Sequence, residues 1–592
     1  MIKVSDYISI KLKEVYNIKN IFMVTGGHAM HLNDSFGAHN SYTCFHHEQA
    51  AAMAAEGYAR ENQELAVVNV TTGPGGINCL NGVFGQWTDS VPVLYISGQV
   101  KRETSIKSCP ELNLRQLGDQ EADIISIVKP ITKYAVTINN PQDVKYHLDK
   151  AIYEATTGRK GPVWLDIPMD IQASFIDEET VLTFAPEKEK KYDCKIAEVL
   201  NYLEKAKRPL IVAGHGIRLS NQIDNFIKLV EDFNIPVVTT FNGNDCISTE
   251  HKFHVGRIGT IGQRAGNFAL QNADVVLFLG TRNNIRQTSY NWKDYAKNAF
   301  KIIVDIDENE IKKPSIIPDL AINADLKEFI PELLKRNCSF KKEEWLNYCV
   351  NIKEKYSFKN TKEYQQTGEK INPYYFIRKL SENLKGNDSV ICANATATIC
   401  LFQAGVQENQ RFIMNSGSAS MGYGLPTAIG NAIYKRDNNL NSQTICLEGD
   451  GSIMMNLQEL QTIKNYNLPI KLFIINNGGY SSCKQTQTNF FNGHFVGCSK
   501  NTGVGLPYFT EIGKAFCLKS IKLDNPDKIE ETINTVLSEK QAVICEVITQ
   551  EDYTFSPKLA SRKLENGQIK TPSLEDMFPH LPEEELTNNM FS

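Results

Sequence analysis

Short, uncharged apolar runs alternate with longer stretches of helical spacing from one end of the chain to the other. One set reads "IFMVTGG", "LAVVNVTTG" and "VPVLYISGQ"; a second reads "PLIVAGHG", "IPVVTTF", "VVLFLG" and "KIIVDID"; a third reads "SVICANA", "TICLEGDG", "IKLFIINNGG" and "AVICEVI". Runs this short and this continuously apolar predict strands buried on both faces, and the helical stretches between them predict parallel sheets covered by helices. Charge-rich links, "FAPEKEKKYDCK" and "SFKKEEWLNYCVNIKEKYSFKNTKEYQQ", separate the sets and read as weakly structured. The fold class is α/β, with three doubly wound parallel-sheet domains in series at 1–183, 195–338 and 367–553. A tail, 554–592, carries proline and charge with little periodicity. It is expected to lie over a surface and not to form a fourth core.

Composition narrows the partners. At 592 residues the chain exceeds what one hydrophobic core organises, in keeping with three domains. The net charge is -5 and the basic residues are scattered, so neither nucleic acid nor a membrane is an expected partner and a small molecule is. The first twenty residues have charges in every apolar window, and no later stretch approaches about 18 uncharged apolar residues, so a cytoplasmic protein is expected. Fourteen cysteines include no C-x-x-C pair and read as reduced core thiols.

The stretch "TICLEGDGSIMMNLQELQTIKNYNLPIKLFIINNGGY" holds the clearest chemistry. It reads as a strand ending in Gly449-Asp450-Gly451, a helix with Leu457, Leu460 and Ile463 on one face, and a second strand ending in Asn476-Asn477. Ligands of doubly wound sheets bind beyond the carboxyl ends of the strands, so the two polar turns converge. The carboxylate of Asp450, the amide oxygen of Asn477 and a backbone carbonyl close by, at Gly479, are three hard oxygen ligands. They would leave an octahedral Mg2+ free to take phosphate oxygens and water. Gly449, Gly451 and Ser452 would bring backbone N–H groups to the same phosphates, beside Tyr480. A tight turn with no ligand is the bland alternative.

GDG and NN flanking residues 452–475 is the pattern of thiamine diphosphate enzymes, and this instance resembles the large subunit of acetolactate synthase. The resemblance covers about residues 1 to 555. It implies a thiamine diphosphate-binding fold and a carboxylate that tautomerises the cofactor's pyrimidine. In "FHHEQAAAMAAEGYAR" that role falls on Glu48, which by itself could be no more than an acidic helix start. Glu56 of the same segment reads as a solvated helix-face residue. "TTGPGGINCLNGVFGQW" matches the family's glycine-rich turn, with Gly73, Pro74 and Asn78; "FMVTGGHAMHLNDS" matches the loop that approaches the thiazolium, with Gly26 and Gly27. "DQEADIISIVKPITKY" puts the pocket glutamine at Gln120, and "NSGSASMGYGLPTAIG" puts the residue that bends the cofactor at Met421. The middle domain is similar to the family's flavin domain and places Arg282, Arg286, Asp305 and Asp307 around a structural FAD. Another nucleotide, or none, stays open there. The family also implies domains that meet across subunits, hence a homodimer or homotetramer.

The departures cluster at the pocket. Acetolactate synthases have Ala at the position of His28, Phe at that of Asp119 and Trp at that of Thr486. Each change enlarges the site or adds polarity, which suits a hydroxyl-rich acceptor. His28 and His31 are candidates to touch substrate and to move protons with Gln120, beside their reading as plain loop histidines. The tail "SPKLASRKLENGQIKTPSLEDMFPHL" resembles homologues associated with surface-polysaccharide synthesis. The resemblance thus implies a decarboxylating carboligase that moves an acetyl unit from pyruvate, or another 2-oxo acid, to a carbonyl acceptor such as a nucleotide-linked keto sugar. The other classes are a non-ligating decarboxylase and a catalytically retired binding protein. Gly27, where decarboxylases carry an acid, counts against the first, and intact Glu48, Asp450 and Asn477 count against the second.

Overall fold

The computed structural model describes residues 1–187, 190–563 and 568–591. Three six-stranded sheets, parallel throughout, account for most of the strands, and each is flanked by helices. In the first sheet the spatial order is Tyr42–Cys44, Ile21–Met23, Ala66–Val70, Val93–Gln99, Val163–Pro168, Tyr134–Thr137. The third repeats that order with Arg411–Met414, Ser389–Cys392, Thr444–Gly449, Lys471–Asn476, Val543–Ile548, Lys519–Leu523. The middle sheet differs, running His254–Arg257, Val237–Thr239, Pro209–Ala213, Val275–Leu279, Phe300–Asp305, Leu320–Asn323, which is the strand order of dinucleotide-binding folds. Among the described residues no helix is long and apolar enough to cross a membrane.

The alanine-rich helix Glu48–Asn62 shows why its sequence is so small and apolar. Every residue from Ala50 to Arg60 is buried, and its main partner is the helix Gly424–Asp437 of the third domain. A Cβ on Gly57 would lie 2.0 Å from the Thr427 carbonyl oxygen, and one on Gly430 would lie 1.8 Å from that of Ala54. The two backbones touch at glycine, so larger residues at either crossing would drive the first and third domains apart.

Glu56 is on this buried face and not on a solvated one, contrary to the sequence reading. Its Oε1 accepts from Arg60 Nη1 at 3.0 Å and from Tyr423 OH at 2.8 Å. Burial pushes its carboxyl up to about 7 even beside Arg60. Arg60 also reaches Asp89 at 3.4 Å, Asp89 accepts from Arg282 Nη2 at 3.3 Å, and Arg411 Nη2 donates to the Arg60 carbonyl at 2.6 Å. The cluster therefore ties all three domains. Periodicity could not reveal it, because Glu56 faces a different domain and not its own sheet.

Two further expectations change. The second link contains a helix, Glu343–Lys355, that buries Trp345, Cys349 and Ile352, with Trp345 Nε1 donating to the Pro209 carbonyl at 2.8 Å. Its charges occupy the outer face and had masked an apolar stripe at helical spacing. All fourteen cysteines are free, but Cys483 and Cys517 are exposed and not in a core. The tail starts against the third domain, where Phe555 is buried, and from Leu559 its described part lies over the middle domain. Leu574 is buried in that domain's apolar cluster, Leu581, Leu586, Met590 and Phe591 pack against it, and Asn267 Nδ2 and Arg264 donate to tail carbonyls.

Glu56→Ala leaves Arg60 without its nearest counter-ion in a dry interface, so it should destabilise the protein by about 3–5 kcal/mol, read as a fall in the thermal unfolding midpoint. Glu56→Gln keeps a hydrogen-bond acceptor and should fall less.

Candidate active site

The polar turns of the third sheet converge as their spacing requires. Asp450 follows the strand Thr444–Gly449 and Asn477 follows the adjacent Lys471–Asn476. Asp450 is 2% exposed, and its carboxylate collects three backbone donors. Gly451 N reaches Oδ1 at 2.7 Å, while Asn477 N and Gly479 N each reach Oδ2 at 3.0 Å. Burial nevertheless pushes the group up to about 6. A carboxylate has about four lone-pair sites, so a place for one more partner remains on Oδ1. Asn477 donates Nδ2 to Thr396 Oγ1 at 3.1 Å, while its Oδ1 is buried with no partner. One free carboxylate site and one orphaned amide oxygen on neighbouring strand ends fit a hard divalent cation. Among the described residues no group of three or more His, Cys, Asp and Glu could hold a metal. The donor set is thus one carboxylate and neutral oxygens, which suits a magnesium ion that keeps water and phosphate oxygens.

The rest of this turn differs in detail from the sequence reading. The expected single helix is broken into a turn at Asp450–Ile453, a 3-10 turn at Leu457–Glu459 and a helix at Leu460–Asn465. The Gly451 N–H serves Asp450 and not a phosphate. Gly451 is instead where Tyr480 packs, since a Cβ there would lie 2.1 Å from Tyr480 Cε1. A Cβ on Gly449 would meet only Ser452 Cβ, at 3.9 Å. Ser452 Oγ accepts from Gly422 N at 2.8 Å and so holds the turn that carries Met421. The Gly479 carbonyl accepts from Ser481 N at 3.2 Å.

A second cluster gathers at the carboxyl ends of the first sheet. Glu48 is the first residue of its helix, and Asn78 Nδ2 donates to its Oε2 at 2.9 Å. A Cβ on Gly75 would lie 3.8 Å from Glu48 Oε1 and 2.9 Å from Thr71 Cγ2, and one on Gly26 would lie 2.5 Å from Thr71 Cβ. These approaches bring Glu48, Thr71, Gly26 and Gly27 to one place. His28 follows, its carbonyl accepting from Gln172 Nε2 at 2.8 Å. Thr71 Oγ1 and His28 Nδ1 are both buried without a partner. Gly73, with φ +61°, caps the helix Pro74–Asn78 and abuts the backbone of Gln120, whose carbonyl oxygen would be 2.0 Å from a Cβ there. The side chain of Gln120 is exposed, as is Asp119, and His31 is half-buried on the helix Met30–His39.

In the middle domain a cavity of about 710 Å³ opens between the strands Pro209–Ala213 and Val275–Leu279, where the strand order reverses. Ligands of such sheets sit at this switch point. Arg282 and Asp305 line the cavity, and burial pushes Asp305 up to about 6. The other two predicted residues are held against side chains that line it. Arg286 lies over the Phe241 ring at 5.7 Å, and Asp307 accepts from Arg159 Nη1 at 2.8 Å. Two lining residues absent from the sequence reading, His215 and Asn242, carry the unpartnered atoms Nε2 and Oδ1. His215 Nδ1 pairs with the Asn242 carbonyl at 2.9 Å, which leaves Nε2 as an acceptor. The cavity, its glycine turns and these open polar atoms fit a nucleotide.

Thr71 and Thr396 were also missed. Their one signal is position, immediately beyond a predicted strand.

Three family models match the chain. "Thiamine pyrophosphate enzyme, N-terminal TPP binding domain" covers residues 2–124, the central domain of the same family covers 196–333, and its C-terminal TPP binding domain covers 394–547. The acetolactate synthase large subunit of Lactococcus lactis subsp. lactis (strain IL1403) is 32% identical over 93% of this chain and 92% of its own. A probable acetolactate synthase large subunit of Methanococcus aeolicus is 30% identical over 96% and 95%. The acetolactate synthase isozyme 2 large subunit of Escherichia coli (strain K12) is 28% identical over 88% and 91%.

Asp450→Ala removes the buried carboxylate that faces Asn477 across the adjacent strand ends. Calorimetric titration with thiamine diphosphate should then show no magnesium-dependent component of binding.

Proposed function

This chain belongs to the thiamine pyrophosphate enzymes of the acetolactate synthase type, and from that premise we propose that it transfers the two-carbon unit of pyruvate, or another 2-oxo acid, to a polar carbonyl acceptor. A nucleotide-linked keto sugar is the acceptor class that fits best. The observation that carries this reading is His28 Nδ1, buried without a partner beside the Glu48 cluster. A buried polar atom left unpaired costs about 1–3 kcal/mol, so the site favours an acceptor that supplies the missing hydrogen bond over an apolar one. Thr71 Oγ1, likewise unpaired, and the exposed Thr486 on the helix Ser481–Phe490 support the same polarity.

Thiamine diphosphate, when bound, supplies the carbon that accepts the 2-oxo acid and the electron sink for loss of carbon dioxide. The chain's own groups do the rest. Asn78 engages Oε2 of Glu48, and Oε1, which has no hydrogen bond among the described residues, is the oxygen left to share a proton with a pyrimidine nitrogen. Asp450 Oδ1 and Asn477 Oδ1 would hold magnesium against the diphosphate, with Gly479 as a third candidate. His28, His31 and Gln120 are the candidates to position the acceptor carbonyl and hand it a proton.

FAD is the nucleotide proposed for the 710 Å³ cavity, in a structural role, on the strength of the strand order and of Arg282, His215 and Asn242. A homodimer or homotetramer is proposed as well. It is supported by Ile77 on the helix Pro74–Asn78 and by Phe84 and Trp87 on the following helix Leu80–Asp89, large apolar side chains that are exposed.

Incubation with pyruvate, magnesium and thiamine diphosphate, with and without keto-sugar nucleotides, should yield an acetyl-branched sugar by mass spectrometry. Acetolactate or acetaldehyde alone would overturn the acceptor assignment. Glu48→Gln should slow hydrogen–deuterium exchange at the cofactor's thiazolium carbon by about 100-fold or more while diphosphate binding persists. A purified protein without flavin absorbance would remove FAD.

A further inference from the structure

Asn477 is 8% exposed and can serve a metal only through its amide oxygen, yet an amide rotated by half a turn puts its nitrogen in the same place. What decides the orientation is the group on the other side. Three hydroxyls meet there, Thr396 Oγ1, Ser481 Oγ and Tyr553 OH, on residues 3%, 6% and 8% exposed. They close a ring. Thr396 is hydrogen-bonded to Tyr553, Tyr553 OH lies 3.4 Å from Ser481 Oγ, and Ser481 Oγ lies 3.1 Å from Thr396 Oγ1. Asn477 Nδ2 faces all three, at 3.1 Å from Thr396, 3.4 Å from Ser481 and 3.4 Å from Tyr553.

A hydroxyl has one proton to give and two lone pairs to receive. In a closed ring of three, each proton is spent on the next oxygen, so the ring presents only lone pairs to Asn477. Only the NH2 end of the amide satisfies lone pairs, and Oδ1 is thereby turned away, which matches its lack of any partner. We propose that Tyr553 is a positioning residue. It closes the hydroxyl ring that holds the Asn477 amide with its oxygen toward the metal. This rests on Asn477 being a metal ligand, as argued above.

Tyr553 is on the segment that leaves the last strand of the third sheet for the tail, and that segment is held at several points. Phe555 N donates to Gln485 Oε1 at 3.2 Å, Ser556 N to Tyr374 OH at 2.9 Å, and Leu559 N to the Thr260 carbonyl of the middle domain at 2.7 Å. The start of the tail thus seats the hydroxyl that completes the ring.

Tyr553→Phe removes one hydroxyl and keeps the packed ring. One of the two remaining hydroxyls then has a spare proton for an amide oxygen, so the rotated amide competes. Magnesium titrated into the full-length protein with saturating thiamine diphosphate, followed by calorimetry, should bind about 10–100-fold more weakly than in the wild type. The unfolding midpoint of the protein without magnesium or cofactor should change little. Thr396→Val opens the same ring at another corner and should shift magnesium binding in the same direction. In an Asn477→Asp background both side-chain oxygens are alike and no wrong orientation exists, so adding Tyr553→Phe should change magnesium affinity by less than about twofold. An equal loss in both backgrounds, or no loss with Asn477 present, overturns the proposal. If the wild-type protein itself shows no magnesium-dependent binding of thiamine diphosphate, the metal-site reading falls and takes this one with it.

Discussion

Arg60 is a cation 2% exposed at the place where three domains meet, and the carboxylates that meet its charge are themselves completed by donors from the other two domains. Glu56 and Asp89 come from the first domain, Tyr423 and the backbone of Ser416 from the third, and Arg282 from the second joins through Asp89. Buried carboxylates stripped of donors are costly, so a shift of one domain against another would leave Glu56 or Asp89 without hydrogen bonds that complete the network. The same helix that carries Glu56 and Arg60 begins at Glu48 and meets the helix Gly424–Asp437 at two glycines. The position of the candidate pyrimidine-activating carboxylate therefore follows from an interface one to three turns further along the helix. Packing that looks purely structural sets where the chemistry would happen.

The three sheets share a logic and divide the work. In the first and third, with identical strand order, the turns beyond the strands hold polar atoms that lack partners, namely Thr71 Oγ1, His28 Nδ1 and Asn477 Oδ1. The middle sheet, with the dinucleotide order, holds His215 Nε2 and Asn242 Oδ1 in its cavity. Buried polar groups in folded proteins are overwhelmingly paired; other unpartnered atoms lie elsewhere in the molecule, and these five are the ones that a ligand beyond the strand ends would satisfy.

The chain beyond the last strand joins two of these regions. Its start places Tyr553 against Asn477 and Gln485 against Phe555, and its end buries Leu574 in the middle domain. Lys558 is desolvated, with its pKa lowered by burial, and donates to Gln485 at 3.1 Å. The helix Ser481–Phe490, which carries Thr486, is thus braced by the start of the tail.

What the chain determines by itself is whatever depends on local periodicity and on spacing along one βαβ unit. The apolar runs gave three parallel α/β domains, and the helix and strand between Asp450 and Asn477 brought those residues to adjacent strand ends, because consecutive parallel strands place their carboxyl turns side by side. Glu48, Asn78 and Gly26 were nameable because their motifs are contiguous. Tertiary structure alone decided the rest. Glu56 looked solvent-facing because its partners, Tyr423 and Asp89, are distant in sequence, and the helix Glu343–Lys355 hid an apolar stripe among its charges. Arg286 and Asp307 meet the cavity that Arg282 and Asp305 line through Phe241 and Arg159, residues distant from them in sequence. Tyr553 gave no signal, because a tyrosine just ahead of the tail acquires a role only when the fold sets its hydroxyl among two others from the starts of separate helices. Sequence spacing encodes neighbours along the chain, whereas closed hydrogen-bond rings and buried ion networks are properties of where the chain returns.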